Sequence, residues 1–430
     1  MLSARALNLQ RITASSSSRT FATAVADAAS GVRVAAVDFG QPTSAVTVLV
    51  KAGSRFQNKE GVANVLKNFA FKSTAKRSAI GTVREAELYG GLLSASLGRE
   101  HLALTAEFLR GDEAFFVDVL SSFVTSARFT RHELEEYVKP LVESDAEAVA
   151  SNPATRALEA AHALAFRSGL GSSLFAPAHN DINVADIKAF ASSAFAKGNV
   201  AVIGTNIDSS TLNKLVEQSF TAATAAEGST AAPASKYFGG ETRLEGSGGP
   251  QTLFIGFGAE GAPSAELAAL AAHLSTQPSV KWSKSLSPIA TAIPEGAQVQ
   301  SVYLPYSDAS LFGLLVQAES VGGVKEAAKV AVEALRNAAK GLKEEEVKGA
   351  VARAKFAAAS GVESREGLVN VLGAKIFAGS EVSVESTLSA FDKVNAASFS
   401  KAVSSLISAK PTLVTVGDSL NLPHTDELGF

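Results

Sequence analysis

The 430 residues carry 39 Lys and Arg against 42 Asp and Glu, a formal net charge of −3, with 46% hydrophobic and 19% charged residues and no cysteine. Such a length exceeds one ordinary core and suits two domains of about 200 residues. The hydrophobicity excludes wholesale disorder, and the lack of a basic surplus or stripe argues against nucleic-acid binding. Without cysteine there is no disulfide, no thiolate metal or iron–sulfur ligation and no cysteine nucleophile. Six histidines remain as nitrogen ligands: His101, His132, His162, His179, His273 and His424.

Residues 1–21 hold Arg5, Arg11 and Arg19 and no acid, the first acidic residue being Asp27. This Arg-bearing, Ser-rich stretch, with Leu2, Leu7, Leu9 and Ile12 as a short apolar face, reads as a mitochondrial transit peptide. A secretory signal needs an unbroken apolar centre, which Arg5 and Arg11 interrupt. Arg19-Thr20-Phe21-Ala22 sets an arginine three residues before a cut at Phe21/Ala22, so the mature chain is expected to start at Ala22 with a charge of −6 in place of −3. No stretch reaches the 18–20 uninterrupted apolar residues of a membrane-spanning helix. The terminal HTDELGF contains DEL without ending in it, so it gives no support to retention in the endoplasmic reticulum.

The polar, small-residue stretch TAATAAEGSTAAPAS, 221–235, reads as a linker between two halves of near-equal length, 22–220 and 236–430. Both halves show the same order of signals. The β-type run Ala45–Val50 precedes a helix-like segment from about Glu60, as Thr252–Gly256 precedes the helix-like run Ala265–Leu274. SLGREHLALTAEFL (96–109) is echoed by PYSDASLFGLLVQA (305–318), and NVAVIG (199–204) by TLVTVG (412–417). In the second half Val324, Ala328, Ala331, Leu335 and Ala338 recur at helical spacing, with Gly341 as the stop; Val347, Val351, Ala354 and Ala358 form the next stripe behind Glu344, Glu345 and Glu346. The expected class is α+β, twice: two homologous domains, each a mixed sheet with helices packed on one face.

Gly256-Phe257-Gly258-Ala259-Glu260-Gly261 fits G-x-G-x-x-G after a strand. A dinucleotide site also needs an acid about 20 residues on, and none occurs between Glu266 and Glu295. A strand-to-helix turn is the expected reading. There is no G-x-S-x-G elbow and no phosphate-binding G-x-x-x-x-G-K-[ST] loop. His162 in LEAAHALAF and His273 in an apolar helix read as interior or surface histidines, as does His101 in a β run. Glu133, Glu135 and Glu136 read as a solvated face.

The most informative segment is Gly61-Val62-Ala63-Asn64-Val65-Leu66-Lys67-Asn68-Phe69-Ala70-Phe71-Lys72-Ser73-Thr74, after the strand VLVKAGSRFQNKE. The pair resembles the start of the pitrilysin-type (M16) metallopeptidases, whose motif there is H-x-x-E-H within G-x-A-H-F-L-E-H-x-x-F-K-G-T. In that family two histidines at i and i+4 bind zinc, the glutamate between them is the general base, and a further glutamate about 75 residues on completes the site. Here Asn64 and Asn68 stand at the histidine positions and Lys67 at the base, with the downstream acid at Glu143 or Asp145 depending on register. Neutral amides are poor zinc ligands and a lysine cation repels a metal. No catalytic, cofactor-binding or metal-binding residue is therefore assigned. In the second half His273 lies in the equivalent helix with no partner at i+4.

Two inactive branches of that fold are mitochondrial. The alpha-type subunits of the processing peptidase carry a glycine-rich loop where this chain reads Ser275-Thr276-Gln277-Pro278-Ser279-Val280-Lys281-Trp282. The chain more closely resembles the core protein 2 family of ubiquinol–cytochrome c reductase (complex III). The matching stretches are Lys236–Arg243, Tyr306–Gly313, Val362–Gly367, Asp426–Leu428 and Asn152-Pro153, although 278–282 departs from the usual family sequence. That resemblance implies a non-catalytic subunit on the matrix side of the inner membrane, peripheral through its partners. Those partners would be core protein 1, cytochrome b, cytochrome c1 and the Rieske protein, and no cofactor would be its own. The alternative is an alpha-like subunit that binds presequences for a catalytic partner.

Overall fold

The first half of the chain builds a sheet from β1 (Ala24–Asp27), β2 (Arg33–Val37), β3 (Thr43–Val50), β4 (Leu92–Leu97), β5 (Leu102–Leu109) and β6 (Val200–Thr205). Their order is β1-β2-β6-β3-β5-β4, with β2 and β6 parallel and every other pair antiparallel. The second half builds β7 (Gly240–Glu245), β8 (Gln251–Glu260), β9 (Ala297–Pro305), β10 (Ala309–Ala318) and β11 (Thr412–Gly417). Its order is β7-β11-β8-β10-β9, with β7 and β11 the parallel pair. Leaving β1 aside, the two sheets have one topology. This computed structural model describes residues 24–27, 31–196, 198–220, 232–246, 248–278, 287–380 and 382–430. The expected transit peptide 1–21, residues 221–231 of the expected linker and residues 279–282 lie outside that set.

Central strands carry the most continuous apolar runs because both of their faces are covered. All six residues of β6 are buried, as are seven of the eight in β3. One face of the first sheet packs on the helices Val62–Asn68, Glu113–Ser126, Val184–Ala194 and Ser209–Ser219. Local chemistry fixes where these begin. Asn183 accepts from the Ala185 and Asp186 amides while the Asp186 carboxylate accepts from the Asn183 amide, and Asp208 accepts from the Thr211 amide. The second sheet packs likewise on Ala265–Leu274, Val321–Lys340 and Ala396–Ile407, and Glu344–Gly361 packs in turn on Ala265–Leu274. The stripe Val324, Ala328, Ala331, Leu335, Ala338 is fully buried there, and Gly341 ends its helix.

The remaining face of each sheet is covered by a helix from the opposite half. Helix Pro153–Phe166, capped by Asn152, lays Ala157, Ala161, Ala165 and Phe166 on Phe254, Leu311, Val414 and Val416 of the second sheet. Helix Arg365–Ala378, capped by Ser364, lays Leu368, Val369, Leu372 and Ile376 on Ala35, Leu49, Ala201 and Ile203 of the first. The exchange is reciprocal, and it uses the Asn152-Pro153 and Val362–Gly367 segments that the sequence comparison singled out.

Three local readings are corrected. Gly256 and Gly258 lie within β8 and do not form a turn; only Gly261, at φ +101, does. They are glycines because a Cβ would stand 2.6 Å from the Phe254 ring at the first and 2.2 Å from the Tyr237 ring at the second. His101 sits in the turn before β5, stacked on Phe377 at 5.0 Å between ring centroids. Glu133 is buried, accepting from the Ser73 amide at 2.9 Å and the Thr130 hydroxyl at 2.8 Å, so it ties two loops together and is no solvated face. Its own burial works to raise its carboxyl, and the bonds from Ser73 and Thr130 outweigh this and hold it below the ordinary range.

Candidate functional site

Helix Val62–Asn68 starts at Gly61, whose φ of +84 is left-handed and whose Cβ would lie 2.4 Å from that of Ala176. Only glycine meets both demands there. The start is fixed by Gln57, whose side-chain oxygen accepts from the Gly61 amide at 3.1 Å. The first turn buries Val62, Ala63 and Val65 in the core, which leaves Asn64, Lys67 and Asn68 on one flank. They face the helical run Arg131–Glu133, Leu134–Val138 (a π-type turn) and Lys139–Ser151.

The three groups converge on one oxygen. Asp145 Oδ2 accepts from Lys67 Nζ at 2.8 Å, from Asn68 Nδ2 at 3.1 Å and from Asn64 Nδ2 at 3.3 Å. Of the two acids that sequence spacing left open, Asp145 is therefore the one that meets the motif. Glu143 is exposed and lines a surface cavity of about 570 Å³ with Lys59, Glu60, Lys139, His179 and Asp181. Helical phase separates the two, since two residues turn the side chain by about 200°.

This donor set does not fit a divalent cation. A protonated lysine and two amide NH₂ groups already point positive ends at the single carboxylate, and Asn64 Oδ1 is a lone amide oxygen, buried without a partner. Lys67 occupies the electrostatic role that a metal has in the peptidases: it brings positive charge to the acid of the facing helix. Burial works to raise the Asp145 carboxyl; the hydrogen bonds from Lys67 and Asn68, the Lys67 charge and the Asn64 bond outweigh it and hold the group below its ordinary value. Among the described residues no grouping of three or more His, Asp and Glu is placed to hold a metal ion. His273, in the equivalent helix of the second half, is buried with Nδ1 unpartnered, and burial followed by the charge of Arg353 pushes its pKa down.

The depressed Asp145 carboxyl has a measurable consequence. A group whose folded pKa is lowered adds stability above its unfolded value, about 3.9, and that contribution is lost as pH falls through the folded value. Lys67→Met is expected to cost about 1 kcal/mol at pH 7, with the gap to wild type closing as pH drops below about 4. Urea unfolding midpoints at pH 7 and pH 3 measure it; equal midpoints at pH 7 would refute the assignment.

His162 shows what a histidine of this fold does instead of ligating. It is buried in the exchanged helix, with Nδ1 donating to the Leu158 carbonyl and Nε2 accepting from the Tyr306 hydroxyl, each at 2.7 Å. Burial, then the nearby Arg99 charge, pushes its pKa down to about 3, while burial pushes Tyr306 up to about 12. Sequence reasoning read His162 as an interior or surface histidine and missed its partner, which lies 144 residues away.

Comparisons with known proteins show the family. The family model described as Insulinase (Peptidase family M16) matches residues 33–178, the part that holds the motif helix and Asp145. The mitochondrial cytochrome b-c1 complex subunit 2 of Cryptococcus neoformans is 44% identical over 94% of both chains. The protein of that name from Yarrowia lipolytica is 37% identical, over 95% of this chain and 97% of its own. The human one is 28% identical over 93% and 90%. With full-length relatives at that level, and with the M16-type sheet built once in each half, the chain belongs to the family of mitochondrial cytochrome b-c1 complex subunit 2.

Proposed function

We propose that the chain is a non-catalytic structural subunit of mitochondrial complex III, seated on the matrix side and paired with core protein 1. Electron transfer would belong to cytochrome b, cytochrome c1 and the Rieske protein. The observation that carries the non-catalytic part is the convergence of Lys67, Asn64 and Asn68 on Asp145. A hydrolase of this fold needs a metal-bound water and a base beside it, and the residues here are hydrogen-bond donors turned toward an acid. Near-complete coverage by relatives named as cytochrome b-c1 complex subunits supports the assembly. No described helix is long and apolar enough to cross a membrane, which accords with attachment through partners.

The same reading takes residues 1–21 as a transit peptide, 22–220 and 236–430 as the two domains and 221–235 as their linker. Native electrophoresis after mild detergent solubilisation tests the assignment. Co-migration with cytochromes b and c1 is expected, and recovery solely as a soluble heterodimer with peptidase activity would favour the presequence-binding alternative. Elemental analysis of the isolated protein is expected to find no stoichiometric zinc; one tightly held zinc per chain would overturn the inactive-site reading.

A further inference from the structure

Four chain segments meet at one guanidinium. Arg55 lies in the short turn Ser54–Phe56 after β3, with its side chain 5% exposed. Its Nη1 donates to Glu100 Oε1 at 2.7 Å, to Asp308 Oδ1 at 2.7 Å and to Ser307 Oγ at 3.1 Å. Its Nη2 donates to Asp308 Oδ2 at 2.6 Å and to the Pro233 carbonyl at 3.3 Å. Glu100 is in the β4–β5 hairpin turn, Ser307 and Asp308 are in the equivalent β9–β10 turn of the other half, and Pro233 is in the stretch that leads into β7. The partners are themselves tied. Asp308 accepts from the Ser235 amide at 2.8 Å and hydroxyl at 3.1 Å, and Glu100 accepts from the Ser307 amide at 3.0 Å and hydroxyl at 2.6 Å.

We propose that Arg55 is a clasp between the halves: by holding Asp308, Glu100 and the approach to β7 together, it makes the two domains open as one cooperative unit. The planar fork suits this role, because it binds one carboxylate through two parallel bonds while still reaching a second acid and a carbonyl. Lysine, a single ammonium, cannot hold that arrangement. The exchanged helices supply apolar burial across the same seam, and apolar packing specifies position less sharply than directional hydrogen bonds do; Nη1 and Nη2 supply these, while the buried Nε has no partner.

Hydrogen exchange followed by mass spectrometry on the full chain, in sub-denaturing urea, tests this. In the wild type the amides of β3 and β6 and those of β8, β10 and β11 are expected to open with a common free energy. In Arg55→Met the second-half amides, together with those of 234–246, are expected to exchange at least tenfold faster than those of the first sheet. Arg55→Lys, which keeps the charge and loses the fork, carries the same readout if the methionine variant does not fold. Faster exchange confined to residues 52–57, or a wild type whose two sheets already open separately, would overturn the proposal.

Discussion

Arg99→Met is expected to lower stability by about 3–5 kcal/mol, the cost of breaking a buried ion pair from one side. Arg99 lies in the β4–β5 turn with its side chain 3% exposed, and three hydrogen bonds hold its guanidinium. Nη2 meets Glu159 Oε1 at 2.5 Å, while Nη1 meets the Ser172 carbonyl at 2.6 Å and the Leu170 carbonyl at 3.2 Å. Glu159 is 16% exposed, and losing the arginine leaves its charge without a counter-ion and takes a donor from the Leu170 carbonyl, while the Leu174 amide at 3.0 Å still meets Glu159 and the Ser54 hydroxyl at 3.2 Å still meets the Ser172 carbonyl. Methionine fills much of the arginine volume, which keeps the cavity contribution small and the electrostatic one visible. Equilibrium urea unfolding at pH 7 measures the loss. The double variant Arg99→Met/Glu159→Leu, which removes both charges, is expected to recover much of it. A loss under about 1 kcal/mol in the single variant, or no recovery in the double, would show that the pair is screened by water.

How much of this was legible in the sequence follows from the range of each interaction. Strands such as β3, β6, β8 and β11 could be read because their apolar runs are local, and the stripe from Val324 to Ala338 because helical periodicity is local too. The loss of the histidine–glutamate motif was legible at Asn64, Lys67 and Asn68. What replaced it was not: the choice of Asp145 over Glu143 depends on the phase of a helix that contains a π-type turn. An amphipathic stripe also says that a face is buried without saying against which sheet, so the exchange of Pro153–Phe166 and Arg365–Ala378 between the halves left no local mark. The Arg55 cluster spans up to 253 residues of chain and has no sequence signal of its own. Gly256 and Gly258 misled because a glycine that makes room for an aromatic ring in a strand looks the same as one that turns the chain.

The exchanged helix also carries a steric requirement that can be tested. Gly373 lies where Arg365–Ala378 crosses the first sheet, and a Cβ there would stand 2.2 Å from Leu49 Cδ2 and 3.8 Å from Ile203 Cδ1. In an isolated helix, glycine to alanine gains about 1 kcal/mol from backbone entropy. At this position the methyl group has to displace Leu49, which is itself 2% exposed near the end of β3, or lift the helix that buries Leu368, Leu372 and Ile376. Overpacking of that kind costs about 1–3 kcal/mol and outweighs the propensity gain, so Gly373→Ala is expected to destabilise the chain. Leu49→Ala alone is expected to cost about 2–5 kcal/mol through the cavity it leaves. The double variant is expected to be more stable than the sum of the two by about 0.5–3 kcal/mol, because the new methyl group enters the space the leucine vacates. A thermodynamic cycle from four urea titrations gives the coupling directly. Strict additivity would mean that the helix does not sit on Leu49 through Gly373, and the close approach of the two halves at that point would have to be redrawn.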